Sequence, residues 1–141
     1  MHTTSSTPIL LFLCAAVLLL GSTAPAIAQP ASPAPIPHII QLDRAAMEPT
    51  DVFKGPPETH TMRSGYMVLA PTKSVGKHST RMNEEAVLVL AGSGEMRISG
   101  GPTLKLKPYC VAYCPPLTEH DVVNTGTDTL RYIWLVARAQ P

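Results

Sequence analysis

From residue 65 onward, apolar residues either alternate with polar residues or form short runs, and glycine or proline separates one run from the next. Short segments of this kind, rich in branched and aromatic residues, are typical of β-strands. The pattern predicts strands at residues 66–70, 85–90, 95–99, 103–107, 111–114, 121–124 and 130–137. No convincing helix lies between them, and glycine turns at 92–94 and 99–102 fit hairpins. The sequence therefore predicts an all-β antiparallel barrel with jelly-roll connections.

The N-terminal residues follow a different pattern. Residues 9–20 form an unbroken apolar run, which is shorter than the roughly 20 residues that a membrane-spanning helix needs. Such a run is typical of a signal peptide, and Ala26-Ile27-Ala28 has the form of a cleavage site. We therefore expect a signal peptide at residues 1–28, a periplasmic or secreted protein, and no stable membrane span after cleavage. An uncleaved N-terminal anchor is the alternative, because residues 2–8 contain no Lys or Arg.

Residues 29–61 are weakly patterned and begin with a stretch rich in proline and alanine. That stretch has polyproline II character rather than the pattern of a packed element. Further along, Pro49, Pro56 and Pro57 interrupt any helix. We expect a flexible spacer and N-terminal arm over residues 29–61, followed by a single β-barrel domain over residues 62–138.

Length and charge narrow the range of functions. The chain has 141 residues, which suits one domain. Its 11 Lys and Arg residues and 10 Asp and Glu residues give a formal net charge of +1. Such a chain lacks the broad positive field that holds a phosphate backbone, so we do not expect nucleic acid as a partner.

Residues of the types that bind metal ions flank two of the predicted strands. His78 precedes the strand at 85–90, Glu85 opens it, and His120 precedes the strand at 121–124. Two imidazoles and a carboxylate suit a divalent transition metal (Fe, Mn, Ni, Zn or Cu) and leave positions open for a substrate. The sequence therefore predicts a metal site on His78, Glu85 and His120, with the identity of the ion left open.

The two-residue period of a strand places these side chains inside the barrel. Glu85 shares a strand face with Val87, and His120 shares one with Val122. If the valines face the interior, the carboxylate and the imidazoles converge there. Burying such groups is costly without a partner, and a metal ion supplies one. The alternative is a metal-free site in which these residues are hydrogen-bonded to each other or to a ligand.

The spacing of these residues resembles the two sequence motifs of the cupin superfamily. Within residues 76–92, the first motif is matched by His78, Thr80, Glu85 and Gly92. Within residues 115–126, the second motif is matched by Pro115, His120 and Asn124. Thr80 stands where the first motif has its second histidine, so the two motifs supply at most two histidine ligands. The resemblance covers roughly residues 66–136.

This resemblance implies a small single-domain cupin with a jelly-roll barrel that binds a small molecule in its interior. Cupins have many functions, and we expect a metal-dependent oxygenase or isomerase. The alternative is a non-catalytic cupin that binds a sugar or an organic acid without metal. The residues that we expect to contact substrate or bound water are Thr80, Tyr113, Asn124 and Trp134. The resemblance also implies a homodimer.

The two cysteines of the predicted barrel, Cys110 and Cys114, leave three alternatives open. An exported chain favours a disulfide, but four residues of extended strand span about 13 Å, so a bridge would require a bend. One thiol could instead serve as an additional soft ligand. The third alternative makes Cys114 a small core residue and Cys110 a loop residue.

Overall fold

The computed structural model describes residues 33–139, which form strands joined by turns and loops. In chain order the strands are β1 (Thr50–Phe53), β2 (Arg63–Leu69), β3 (His78–Ser79), β4 (Asn83–Ala91), β5 (Gly94–Ile98), β6 (Thr103–Leu106), β7 (Val111–Cys114), β8 (Glu119–Val123) and β9 (Leu130–Arg138). None of residues 33–139 belongs to a helix of the length and apolarity that crossing a bilayer requires. The signal peptide predicted at residues 1–28 lies outside the described residues.

The strands form two antiparallel sheets. The five-stranded sheet has the order β1-β2-β9-β4-β7, and the four-stranded sheet has the order β3-β8-β5-β6. β2 and β9 are distant in sequence but pair along the whole of β2, from Arg63 opposite Val136 to Leu69 opposite Leu130. These pairings confirm the predicted all-β jelly roll. Each of the predicted strands is present, with ends that differ from the prediction by a few residues.

The core lies between the two sheets and follows the alternation of each strand. In β4, Glu85, Val87 and Val89 are buried while the residues between them are more exposed. The buried apolar residues of the core are Leu69, Val87, Val89, Met96, Leu106, Ala112, Cys114, Val122, Leu130 and Tyr132. Burying one large apolar side chain contributes about 1.5–3 kcal/mol. The same alternation that builds this core also brings the Glu85 carboxylate into the barrel.

Part of the predicted arm is a strand at the edge of the five-stranded sheet. β1 pairs with β2, and Thr50 stands opposite Tyr66. Just before β1, the Arg131 guanidinium donates a hydrogen bond of 2.7 Å to the carbonyl oxygen of Ala46. The pattern did not predict β1, because its two polar residues are followed by two apolar residues rather than alternating with them, and prolines flank the segment.

Two glycines with left-handed backbone allow a test of how tightly the turns are packed. Gly92, between β4 and β5, has φ 75°, and a Cβ there would lie 2.5 Å from the carbonyl oxygen of Thr129. Gly100, between β5 and β6, has φ 70°, but a Cβ there would have no neighbour within 4 Å.

Alanine at either glycine pays a similar backbone cost, whereas only Gly92→Ala also forces two backbone segments apart. We expect Gly100→Ala to lower the free energy of unfolding by about 1–2 kcal/mol, and Gly92→Ala to lower it by roughly twice as much. Urea denaturation of both variants measures the difference. Equal losses would contradict a role for the close approach to Thr129.

Candidate metal centre

Three polar side chains meet between the two sheets. His78 on β3 stands opposite His120 on β8 in the four-stranded sheet, and Glu85 projects inward from β4 of the other sheet. One ligand atom from each of these residues lies within 4.8 Å of the other two. Because metal–ligand bonds are about 2 Å long, one ion can contact all three atoms. The structure thus brings the three predicted ligands together.

Glu85 lies beside both imidazoles. Its Oε2 atom is 3.3 Å from Nε2 of His120 and 3.9 Å from Nε2 of His78. His120 is fully buried, whereas 46% of the His78 side chain is exposed. Contact with the Glu85 carboxylate raises the pKa of His120, because it favours the protonated ring more strongly than burial disfavours it.

The other ring nitrogen of each histidine faces a backbone carbonyl. Nδ1 of His78 is 2.8 Å from the carbonyl oxygen of Gly76, and Nδ1 of His120 is 3.4 Å from that of Thr118. An N–H on Nδ1 donates to the carbonyl, and the neutral ring then carries its lone pair on Nε2. Backbone carbonyls orient metal-binding histidines in this way. Both Nε2 atoms are therefore directed toward Glu85.

Nε2 of His120 is a buried polar atom without an aligned hydrogen-bond partner among the described residues. A protonated ring can direct this N–H at the Glu85 carboxylate, 3.3 Å away, whereas the lone pair of a neutral ring is costly to bury unless a cation or a donor satisfies it. A divalent cation bound to its lone pair would do so, and two imidazoles with one carboxylate are donors that first-row transition metals accept. The residues at this site therefore fit a metal ion.

Thr80 links the two segments that carry the histidines. It is 4% exposed, and its hydroxyl donates to the carbonyl oxygen of Pro115 at 2.8 Å. The same hydroxyl accepts a hydrogen bond of 3.0 Å from the backbone N–H of Thr118. Thr80 does line the cavity beside the ligands, but its hydroxyl is committed to the backbone, so the predicted contact with substrate or bound water would compete with these bonds.

The structure does not bring Tyr113 and Asn124 to this site. Tyr113 projects from the outer face of β7, where its hydroxyl donates to Glu84 at 3.1 Å, because its neighbours Ala112 and Cys114 occupy the inner face. Asn124 is buried, and its amide donates to the carbonyl oxygen of Leu69 at 2.7 Å. Its amide also donates to the carbonyl oxygen of Asp128, and its Oδ1 accepts from the backbone N–H of Gly126, so the side chain holds this turn, as is typical of asparagine.

A cavity of about 320 Å³ opens beside the three ligands. Among the predicted substrate-binding residues, Trp134 and Thr80 line it. The lining residues that were not predicted as part of the site are Arg63, Met67, Val75, Ser79, Asn83, Val122, Tyr132 and Val136. A signal for two of them was present, because Tyr132 and Val136 share the strand face of Trp134 in β9. Most of the wall is apolar.

Trp134 lies against the backbone of β2. It stands opposite Gly65, and a Cβ at Gly65 would lie 2.5 Å from the Nε1 atom of the indole ring. Glycine is therefore required for the ring to take this position. The ring is held on one side by the strand and contributes to the cavity wall.

Both cysteines of the barrel are free thiols. Cys114 is a fully buried core residue, and its Sγ lies 3.4 Å from Nδ1 of His120, the nitrogen directed away from Glu85. The thiol is thus not part of the group formed by the three ligands. Cys110 is partly buried and accepts a hydrogen bond from the backbone N–H of Lys107.

Thiol labelling tests this arrangement. Burial raises the pKa of the Cys114 thiol, and the alkylating reagent reaches it poorly, so we expect iodoacetamide to modify Cys110 well before Cys114 in the folded protein. In denaturant without reductant, both residues should react. Peptide mass spectrometry measures each modification, and a Cys110–Cys114 crosslinked peptide would contradict the prediction.

Comparison with known proteins identifies a family whose sequence model this chain matches. Residues 65–136 match the sequence model of the cupin domain family. No curated protein matches the sequence at a significant level.

Several solved structures share the fold. A cupin 2 conserved barrel domain protein from Salinispora arenicola is 23% identical over 74% of this chain and 91% of its own, with a TM-score of 0.60. An RmlC-like cupin family protein from Methanocaldococcus jannaschii, with a double-stranded β-helix fold, is 16% identical over 73% and 92%, also with a TM-score of 0.60. The Cnp3 cupin domain of Schizosaccharomyces pombe is 18% identical over 64% of each chain, with a TM-score of 0.58.

Proposed function

This chain belongs to the cupin domain family, and from that premise we propose that it binds a divalent transition metal on His78, Glu85 and His120 and acts on a small molecule beside it. The observation that carries the proposal is the convergence of three ligand atoms within 4.8 Å, one of them the buried Nε2 of His120, which faces the Glu85 carboxylate without forming an aligned hydrogen bond. Two imidazoles and a carboxylate are costly to bury in a core that only stabilises the fold, but they are the groups expected in a metal site.

The reaction that we propose is an oxygenation or an isomerisation of that molecule. A bound metal would supply a Lewis acid or a site for O2. The chain itself supplies orientation, because the carbonyls of Gly76 and Thr118 aim the two imidazoles. It also supplies an apolar wall that displaces water from the ligand. Tyr132 lines the cavity, and burial raises the pKa of its hydroxyl further above the ordinary value, so the chain supplies a protonated phenol there.

A second candidate function is the binding of a small sugar or organic acid without metal. The observation that favours it is Thr80, which stands at the position of a family histidine and whose hydroxyl is committed to Pro115 and Thr118. The group therefore has one donor fewer than the full motif. The two functions differ in whether the purified chain binds metal at all.

Metal titration of the full chain tests the proposal. We expect the EDTA-treated protein to bind one equivalent of Ni²⁺ or Zn²⁺, measured by isothermal titration calorimetry. His78→Ala should weaken binding by at least about 100-fold, since losing even an outer partner of a ligand costs 10–100-fold. The His78 side chain is half exposed, so this variant should keep the fold.

His60→Ala is the matched control, because His60 is an exposed residue outside the group of ligands and should bind metal as the unmodified chain does. Equal affinities in the unmodified chain, His78→Ala and His60→Ala would contradict the proposed site.

Turnover distinguishes the two candidate functions. We expect the Fe²⁺-loaded protein to consume oxygen with at least one compound from a panel of small acids and catechols, and His78→Ala to lose that activity. An oxygen electrode measures the rate, and an isomerase would instead convert its substrate without oxygen uptake. Ligand binding that is unaffected by EDTA, with no turnover of any compound, would support the second candidate.

A further inference from the structure

The cavity wall contains one permanent positive charge. Arg63 is the first residue of β2, and its register opposite Val136 places it on the inward face of the sheet. A Cβ at Gly55 would lie 3.4 Å from Cγ of Arg63, so the aliphatic part of the side chain passes close to the turn after β1. Arg63 is an exposed residue that also lines the cavity, so its side chain stands where the cavity meets solvent.

The Arg63 guanidinium forms no salt bridge with any Asp or Glu of the described residues. By contrast, Arg97 on the other sheet is 2.9 Å from the Glu95 carboxylate. A guanidinium presents a planar fork of N–H donors that matches a carboxylate. At the edge of an apolar cavity, such a fork can bind the anionic group of a ligand.

The strand register relates Arg63 to the metal ligands. Arg63 pairs with Val136, and Val136 pairs with Glu85, so the three residues form one inward-facing row across three adjacent strands. Neighbouring strands are about 4.8 Å apart, which places the backbones of Arg63 and Glu85 about 10 Å apart. A small molecule can contact the guanidinium at one end and the ligand group at the other.

The surface between these two ends is apolar. Val136 lies on β9 between Arg63 and Glu85, and Trp134 is its neighbour on the same face of β9. Met67 and Val75 extend this apolar side of the cavity, whereas Ser79, Thr80 and Asn83 line the side near β3 and β4. Against the apolar side a sugar would leave hydroxyls without hydrogen bonds, which is costly. On the polar side, the Thr80 hydroxyl and the Asn83 amide already donate to backbone carbonyls. A flat apolar molecule has no hydroxyl groups that need hydrogen bonds on the apolar side, and it can contact the indole ring there.

We infer that the cavity binds a small carboxylic acid with a flat apolar body, and that Arg63 binds its carboxylate. The inference rests on the proposed function only for the location of the ligand beside His78, Glu85 and His120. It narrows the class of ligand from small molecules in general to apolar monocarboxylates, for which benzoate is the simplest probe.

The single tryptophan of the chain provides the readout. In a ¹H–¹⁵N spectrum of the full chain, one indole signal reports on Trp134 alone. EDTA-treated protein is titrated with benzoate and, separately, with benzamide, which has the same shape without the charge. We expect benzoate to shift the indole signal and to bind about tenfold more tightly than benzamide, as suits a charge-assisted hydrogen bond.

Substitution of Arg63 then tests whether its guanidinium is the group that binds the carboxylate. Arg63→Gln should weaken benzoate binding by about tenfold and leave benzamide binding unchanged, and Arg63→Lys should restore part of the affinity for benzoate. Arg97→Gln is the matched control, because it removes the same charge from a residue outside the cavity. Unchanged backbone signals in a variant show that its fold is intact. Partial recovery of benzoate binding in Arg63→Lys, which keeps the positive charge, shows that the loss in Arg63→Gln comes from the missing charge.

Three results would overturn the inference: equal affinity for benzoate and benzamide, unchanged benzoate binding in Arg63→Gln, or no shift of the indole signal by either compound. Because these titrations contain no metal, their failure leaves the proposed metal site untouched. That site is judged separately, by the Ni²⁺ titration of the unmodified chain and His78→Ala.

Discussion

A carboxylate on the inward face of a β-sheet must be compensated, because burial removes the water that would otherwise stabilise its charge. Glu85 has this position, with Val87 and Val89 following it on the same face of β4. The compensation comes from the opposite sheet, where His78 and His120 stand side by side with ring centroids 4.4 Å apart. The two sheets are therefore joined at this point by polar groups, whereas the rest of their interface is a hydrophobic core.

The two histidines are held at their distance by hydrogen bonds between two other residues, Thr80 and Thr118. Thr80 and Thr118 are connected by a backbone hydrogen bond of 3.1 Å and by the Thr80 hydroxyl. These residues lie two positions from His78 and His120 respectively, at the end of the short β3–β8 ladder. The threonine that replaces a family histidine thus stabilises the geometry of the two that remain, and this explains its burial without requiring contact with a ligand.

Much of the fold follows from local pattern, because the alternation of buried residues in β4 to β9 is long enough to be recognised. The same alternation placed Glu85 and His120 inside the barrel. β3 has only two residues, and the four residues of β1 do not alternate, so neither shows a period. β1 is stabilised by pairing with β2, and β3 by pairing with β8, which is distant in sequence. The cavity wall was harder to predict, since Arg63 and Met67 reach it through the register between β2 and β9, which no local pattern reveals.

Tyr113 and Asn124 show a different limit of predicting a binding site from sequence. Sequence indicates which residue types can bind a ligand, but not whether their polar groups are already used. Asn124 satisfies backbone groups in its own turn, and Tyr113 follows the strand alternation onto the outer face. Only Asn124 belongs to a motif match, and in both cases the strand face and the local hydrogen bonds decide the role of the residue.

The contact between Trp134 and Gly65 makes two positions on neighbouring strands interdependent. Because the indole occupies the space where any other side chain at position 65 would begin, a larger residue there is compatible only with a smaller one at position 134. The width of the cavity next to β2 is thus set by a pair of residues rather than by either one. Reshaping this wall to fit a different ligand would therefore need both substitutions. A larger residue at position 65 alone would clash with the indole ring, and a smaller residue at position 134 alone would leave an empty space beside Gly65.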